Sequence, residues 1–267
     1  MSSGWAFDAA LTWRLTIAAL QRFTTQRVLS WAWWILEPLI LITVYAIVIG
    51  FIRRHPIPDY PLFLACALIP WRWYTVATTR GANALLSNAG LLTATPVNRE
   101  SVVLSEVAAA TIEALLGIPV LLGFMLYYGE EPTRALLWLP LPLIVLAALT
   151  SGVSFLLSPV NVLLRDTTNS YAASLRVLWF LSPGLYALRE IPESATLPGT
   201  SIELPLQTML IWLNPFTGII EGVRRPIVDG LPPHWPALLA SAIWALVAIL
   251  VGRRVFRRLA DSAIRMF

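Results

Sequence analysis

Four ionisable side chains sit inside long apolar stretches of this sequence: Glu37, Arg72, Glu113 and Arg176. A charge is expensive in hydrocarbon, so if those stretches cross a bilayer, each charge is a functional candidate by default. Two chemistries suit them. Arg72 and Arg176 can draw an anionic headgroup, such as a lipid pyrophosphate, toward a portal whose charge Glu37 and Glu113 balance. Equally, the four can form interhelical ion pairs that only fix packing. Soluble catalysis has little to work with. His55 and His234 lie in or beside loops without clustered carboxylates or cysteines, and the lone Cys66 excludes both an internal disulfide and a cysteine metal site. There is no G-x-x-x-x-G-K-[ST] loop and no lysine anywhere in the 267 residues. Any ATP-driven work therefore needs a separate subunit. The chain carries no catalytic residue, metal site or cofactor that the sequence declares.

Aromatic residues form a second set. The sequence has 12 tryptophans, grouped at Trp31, Trp33, Trp34, Trp71, Trp73 and Trp179. Most suit a belt at headgroup depth. Others, with Tyr45, Phe180 and Tyr186, could line a channel where flat ring faces let sugar rings slide past. A third set lies in residues 81–100, GANALLSNAGLLTATPVNRE, which is too apolar for a solvated loop and too short to span. A short helix over 83–92 exposing Leu85, Leu86, Leu91 and Leu92 makes a docking knob for a partner; the alternative is that it folds back on its own membrane surface.

The elements that position these groups follow from composition. Hydrophobic residues make up 57% of the chain and charged residues 13%, arranged in blocks near the roughly 20 residues that cross a bilayer core. The reading is an all-α integral membrane protein with spans at 31–52, 61–80, 104–127, 135–162, 171–189 and 236–256. An amphipathic helix at 5–28, striped by Trp13, Ile17 and Leu20, lies at the membrane surface before them. Prolines interrupt most spans, which suits a bundle around a cavity. Arginines in the amino-terminal segment, at Arg80, Arg99 and Arg165, and in the tail place both termini in the cytoplasm. Residues 204–223 are broken by Gln207, Asn214-Pro215 and Glu221 and read as two short helices dipping back from the outside, since a seventh span would put the basic tail outside. The whole chain, 1–267, is then one transmembrane domain: interfacial helix 1–30, spans one to five over 31–189, the external re-entrant segment 190–235, and the sixth span with its tail over 236–267. Nothing marks a cleavable signal peptide.

Five motifs in order resemble one family, the permease subunits of type-2 ABC exporters for O-antigen, teichoic acid and related cell-envelope glycans. They are QRFTTQRVLSWAWWILEPLILITVYAIVIGFI, FLACALIPWRWYTVATTRGANALLSNAGLL, LLSPVNVLLRDTTN, FLSPGLYAL and LNPFTGIIEGVRRPIVDG. The third resembles an Asn-x-x-x-Arg-Asp turn at Asn161, Arg165 and Asp166. The last two resemble a Ser-Pro-x-x-Tyr element at Ser182, Pro183 and Tyr186, and an Asn-Pro segment ending in Glu221. One departure is Glu37, where many relatives carry a neutral residue. The resemblance implies a homodimeric permease in the bacterial plasma membrane, bound to two ATPase subunits that hold ATP and Mg. It implies contact with them through the amino-terminal helix and a coupling segment containing Asn83, Leu85, Leu86, Asn88, Leu91 and Leu92. It also implies a channel lined by the first and fifth spans, with an external gate at Asn214, Pro215, Phe216 and Glu221. The cargo is then lipid-linked polysaccharide moving outward. A drug- or antibiotic-efflux permease of the same superfamily is the alternative. An intramembrane polyprenyl-phosphate enzyme lacks the loop acid clusters such chemistry uses, and a secondary transporter should show an inverted repeat that is not visible.

Overall fold

A computed structural model describes residues 3–25, 30–52, 59–95, 97–164, 166–196 and 203–266, with backbone only for 3–7, 23–25, 30–35 and 50–52. The architecture is α-helical: α1 (Ser3–Thr25), α2 (Ser30–Ile52), α3 (Tyr60–Ser87), α4 (Ala89–Ala94), α5 (Arg99–Leu115), α6 (Gly117–Tyr127), α7 (Pro140–Leu163), α8 (Thr167–Leu181), α9 (Leu206–Leu213), α10 (Thr217–Arg224) and α11 (Trp235–Ile264). Single turns of 3-10 helix lie at Arg134–Trp138 and Leu188–Glu190, and α10 runs on into a π-helical turn at Arg225–Asp229. Two short strands, β1 (Ala195–Thr196) and β2 (Glu203–Leu204), pair antiparallel; no sequence pattern announced them.

Among the described residues, three stretches are long and apolar enough to cross a membrane, Arg99–Tyr127, Arg134–Leu163 and Trp235–Ile264, with a shorter apolar run at Leu36–Ile49. The protein is an all-α membrane protein. Proline explains several boundaries. Pro119 has no N–H for the Leu115 carbonyl, and the expected third span is divided at Leu116 into α5 and α6. The expected fifth span, 171–189, is corrected to a helix of 15 residues ending at Leu181. Pro183 forces Ser182 into an extended conformation, ψ 148°.

Lipid offers no hydrophobic drive for helix association, so close backbone approach between small residues must supply contact. The most extensive packing is between α7 and α11. There a side chain on Gly152 would land on the Ala248–Ile249 backbone, and one on Gly252 on the Gly152 carbonyl. On another face of α7, α3 packs with Gly81 against Ser154; α5 covers α3, and α1 lies on α5. Of the stripe expected to face the membrane surface, Trp13 and Ile17 are exposed and Leu20 half-buried, while Thr16 and Ala19 are buried. Small side chains let α1 lie close to α5, leaving its larger apolar residues on the outer face.

Candidate functional site

The carboxyl ends of α3, α7 and α11 and the start of α5 meet in a small core of Ala84, Leu85, Val103, Phe155, Phe256, Ala260 and Ala263. This is the basic end of the molecule. Here Asn161 of α7 donates to the Ala82 carbonyl and to Asn83 Oδ1, both at 3.1 Å, and accepts from Thr168 Oγ1 at 2.7 Å. One buried amide thus ties α3, α7 and α8 together, joining two sequence motifs that lie 78 residues apart. Asn88 donates to the Ala84 carbonyl at 2.9 Å and to Glu106 at 3.5 Å; Glu106 also accepts from Arg22 of α1 at 3.0 Å. α4 projects beyond with no buried residue. Leu86 is exposed, and Leu91 and Leu92 are half-buried. Leu85 corrects the expectation: it is fully buried, because α3 continues past residue 80 and turns this side chain into the small core.

The four intramembrane charges do not form one cluster. Arg72 pairs with Glu37 at 2.5 Å. Glu113, fully buried, is held at 2.6 and 2.8 Å by both terminal nitrogens of Arg80. Arg80 was placed at a loop edge in the sequence, so its role as partner was missed; nothing local signals a pair 33 residues apart. Arg176 is exposed on α8 and has no ion partner among the described residues. Its neighbours Asn169, Ser170 and Ser174 are exposed too. An open groove of about 490 Å³ runs beside them, lined by Asp166, Thr167, Ser170, Tyr171 and Ser174 with Leu157 and Leu164 opposite. Further along α8, Val177, Phe180 and Leu181 are exposed.

At the other end, Asn214 makes the break between α9 and α10. Its Oδ1 accepts from Phe216 N at 2.9 Å, while its Nδ2 donates to the Leu181 carbonyl and to Ser182 Oγ, both at 3.0 Å. The Ser-Pro and Asn-Pro elements are therefore one structural joint. Asn214, Phe216 and Glu221 are buried and Pro215 half-buried, whereas Met209, Trp212 and Leu213 of α9 are exposed. The sequence picked the hinge, not the exposed surface beside it. Glu221 accepts from Arg224 at 2.9 Å; Arg224, also buried, donates to the Gly184 carbonyl at 3.2 Å and lies 3.5 Å from the centre of the Phe63 ring. Arg224 was overlooked although its i+3 spacing from Glu221 was visible. His234 caps α11 by accepting from Ala237 N. Burial, then Arg225, holds its pKa below the ordinary value.

Of the aromatic candidates, Tyr45 packs against the large core, Phe180 is 63% exposed, and Tyr186 donates to the Leu181 carbonyl at 3.1 Å. The side chains of Trp31, Trp33 and Trp34, and all of Arg165, lie outside the described residues. Trp71 and Trp179, two of the grouped tryptophans, join Tyr74 and Phe216 in an internal cluster with ring centres 4.6–6.2 Å apart. It binds the Asn214 joint to α3.

No family model matches the chain. Individual proteins do. An O-antigen export system permease protein of Klebsiella pneumoniae is 26% identical over 257 residues, covering 96% of this chain and 93% of that protein. One from Myxococcus xanthus is 26% identical over 85% of each chain. A polysialic acid transport protein of Escherichia coli is 26% identical over 86% of this chain and 85% of its own length. The chain is a relative of polysaccharide-export permeases. The matches cover most of the chain rather than one segment, and the proteins matched are export permeases or transport proteins by name.

Proposed function

We propose that this chain is the channel-forming permease subunit of an ATP-driven exporter carrying lipid-linked polysaccharide from the cytoplasmic side across the bacterial plasma membrane. The observation that carries the reading is α8. It exposes Asn169, Ser170, Ser174 and Arg176 from a helix whose main packing partners are α3 and α7. Such a surface is costly against lipid and suits a water-filled path. A second copy of the chain closes that path, α2 and α8 of each forming its walls. Hydroxyl and amide groups there can exchange hydrogen bonds with sugars, and Arg176 offers a cation to a lipid pyrophosphate. In this reading α2, α3, α5–α6, α7, α8 and α11 are the six spans, the basic end is cytoplasmic, and α9–α10 is the external re-entrant gate. α1 and the projecting α4 meet two ATPase subunits that supply ATP and Mg chemistry.

Co-purification tests the reading. A stoichiometric ATPase of roughly domain-pair size should accompany the tagged chain, and Leu86→Asp with Leu91→Asp on the outer surface near α4 should remove it while the permease melts unchanged. An intact permease that carries no ATPase would contradict it.

A further inference from the structure

On one face of α11 an apolar surface runs directly into a charged one. Leu246, Val247, Leu250 and Val251 are exposed, and Arg253, Arg254, Arg257 and Arg258 follow at once. Glu100 of α5 engages two of these arginines. Arg253 donates to its Oε2 from Nε and Nη2 at 3.0 and 2.8 Å, and Arg257 to its Oε1 at 3.0 Å. Both carboxylate oxygens are occupied. Arg254 and Arg258, each about 100° further around the helix, have no carboxylate partner among the described residues. The four guanidiniums border an open groove of about 490 Å³ floored by Ile249 and Leu250.

We infer that this groove binds an anionic phospholipid, its phosphate on Arg254 and Arg258 and its acyl chains along Leu250 and Leu246. Charge favours it: the four guanidiniums face Glu100, which engages two of them, while Asp261, one turn further along the same face, pairs with Arg99, so the surface stays net positive. A planar guanidinium matches phosphate oxygens in pairs. Position favours it as well. Arginines immediately beyond an apolar helix face lie at headgroup depth, where anionic lipids collect. By fixing Arg253 and Arg257, Glu100 leaves the other pair available and prearranged. A phospholipid meets the apolar and the charged half of this surface with one molecule, which an acidic protein surface cannot do. The inference depends on the membrane location and not on export, so the two readings fail separately.

The test is native mass spectrometry of the purified chain titrated with phosphatidylglycerol and, separately, phosphatidylcholine. The wild type should prefer phosphatidylglycerol, and Arg254→Gln with Arg258→Gln should weaken that preference roughly 30-fold, the usual worth of two arginines near an anionic surface. Each single variant should lose roughly 5-fold on the same scale, which keeps the test open if the double variant folds poorly. Arg134→Gln, on the 3-10 turn before α7, should change nothing. Equal binding of the two lipids by the wild type would overturn the inference, as would an unchanged preference in the variants. Variants that retain lipid but lose a co-purifying acidic protein would reassign the arginines to that partner and overturn it too.

Discussion

Along the seam between α7 and α11 two backbones touch, whereas α8, the helix next to α7 in the chain, packs through a few side chains on one side and leaves the other side open. The seam has Gly152 against Ala248 and Gly252 against the Gly152 carbonyl, with no room for a methyl group. α8 is tied by Thr168 to Asn161 at one end and by the Leu181–Ser182 joint to Asn214 at the other. Between them Tyr171 bonds Thr78, and Leu175 and Trp179 are buried, while the outward side exposes the polar Ser170, Ser174 and Arg176 followed by Val177 and Phe180. A bundle in lipid gains stability where small residues let helices meet. It leaves polar residues bare only where water replaces lipid. The contrast separates a scaffold, where substitutions should cost stability, from a wall, where they should cost transport and little else.

The largest effect should come from the scaffold near the start of α11, where α10 packs. Glu221→Gln leaves the Arg224 charge buried without its partner and should destabilise by about 3–5 kcal/mol. Replacing both residues with methionine should restore much of that, because no unpaired charge remains. Thermal melting of the purified chain measures both. Gly252→Ala should cost about 1–3 kcal/mol or more, since the clash is with backbone and no rotamer relieves it; folded yield and melting report it. Asn214→Ala removes the acceptor for Phe216 N and the donor to Leu181, costing about 1–3 kcal/mol. Because that joint also holds the end of α8, transport should fall as well. On the wall itself, Arg176→Gln should alter stability by no more than about 0.5 kcal/mol while export in vesicles falls severalfold. A large stability loss there would erase the contrast.

The smallest effect is acid sensitivity at His234. Its folded pKa lies below the ordinary 6.5, so the unfolded chain takes up the proton first. The stability contributed by neutral His234 is therefore complete above 6.5 and is lost as pH falls through the lower folded value. His234→Asn keeps an oxygen to cap α11 without titrating, and should flatten the melting temperature below pH 6.5 relative to wild type.

Much of this division was readable in the residues, and the exceptions have physical causes. The apolar blocks and the break at Asn214-Pro215 are local properties, legible because proline and periodicity act within a few residues. Pro183 was visible too, yet the expected span ran through it to residue 189, and the polar run over 167–176 was not singled out. The burial of Leu85 was not legible. A membrane-thickness argument ends α3 near residue 80, but nothing local stops the helix before Asn88, and Gly81 is kept inside it by its fit against Ser154. Nor was the Arg80–Glu113 pair, since both residues suit a helix and only the packing of α3 on α5 joins them. The exposed apolar residues of α9 were passed over because the Asn-Pro step beside them carries the stronger sequence signal.

The most direct measurement is the accessibility of α8. In a Cys66→Ala chain reconstituted in vesicles, Ser170→Cys and Ser174→Cys should react rapidly with a membrane-impermeant maleimide supplied on both sides, because a thiolate forms only where water reaches. Leu246→Cys and Leu250→Cys on the apolar face of α11 should stay unlabelled. Labelling on α11 with α8 protected would place α8 against lipid or sealed protein, and the channel reading would be wrong.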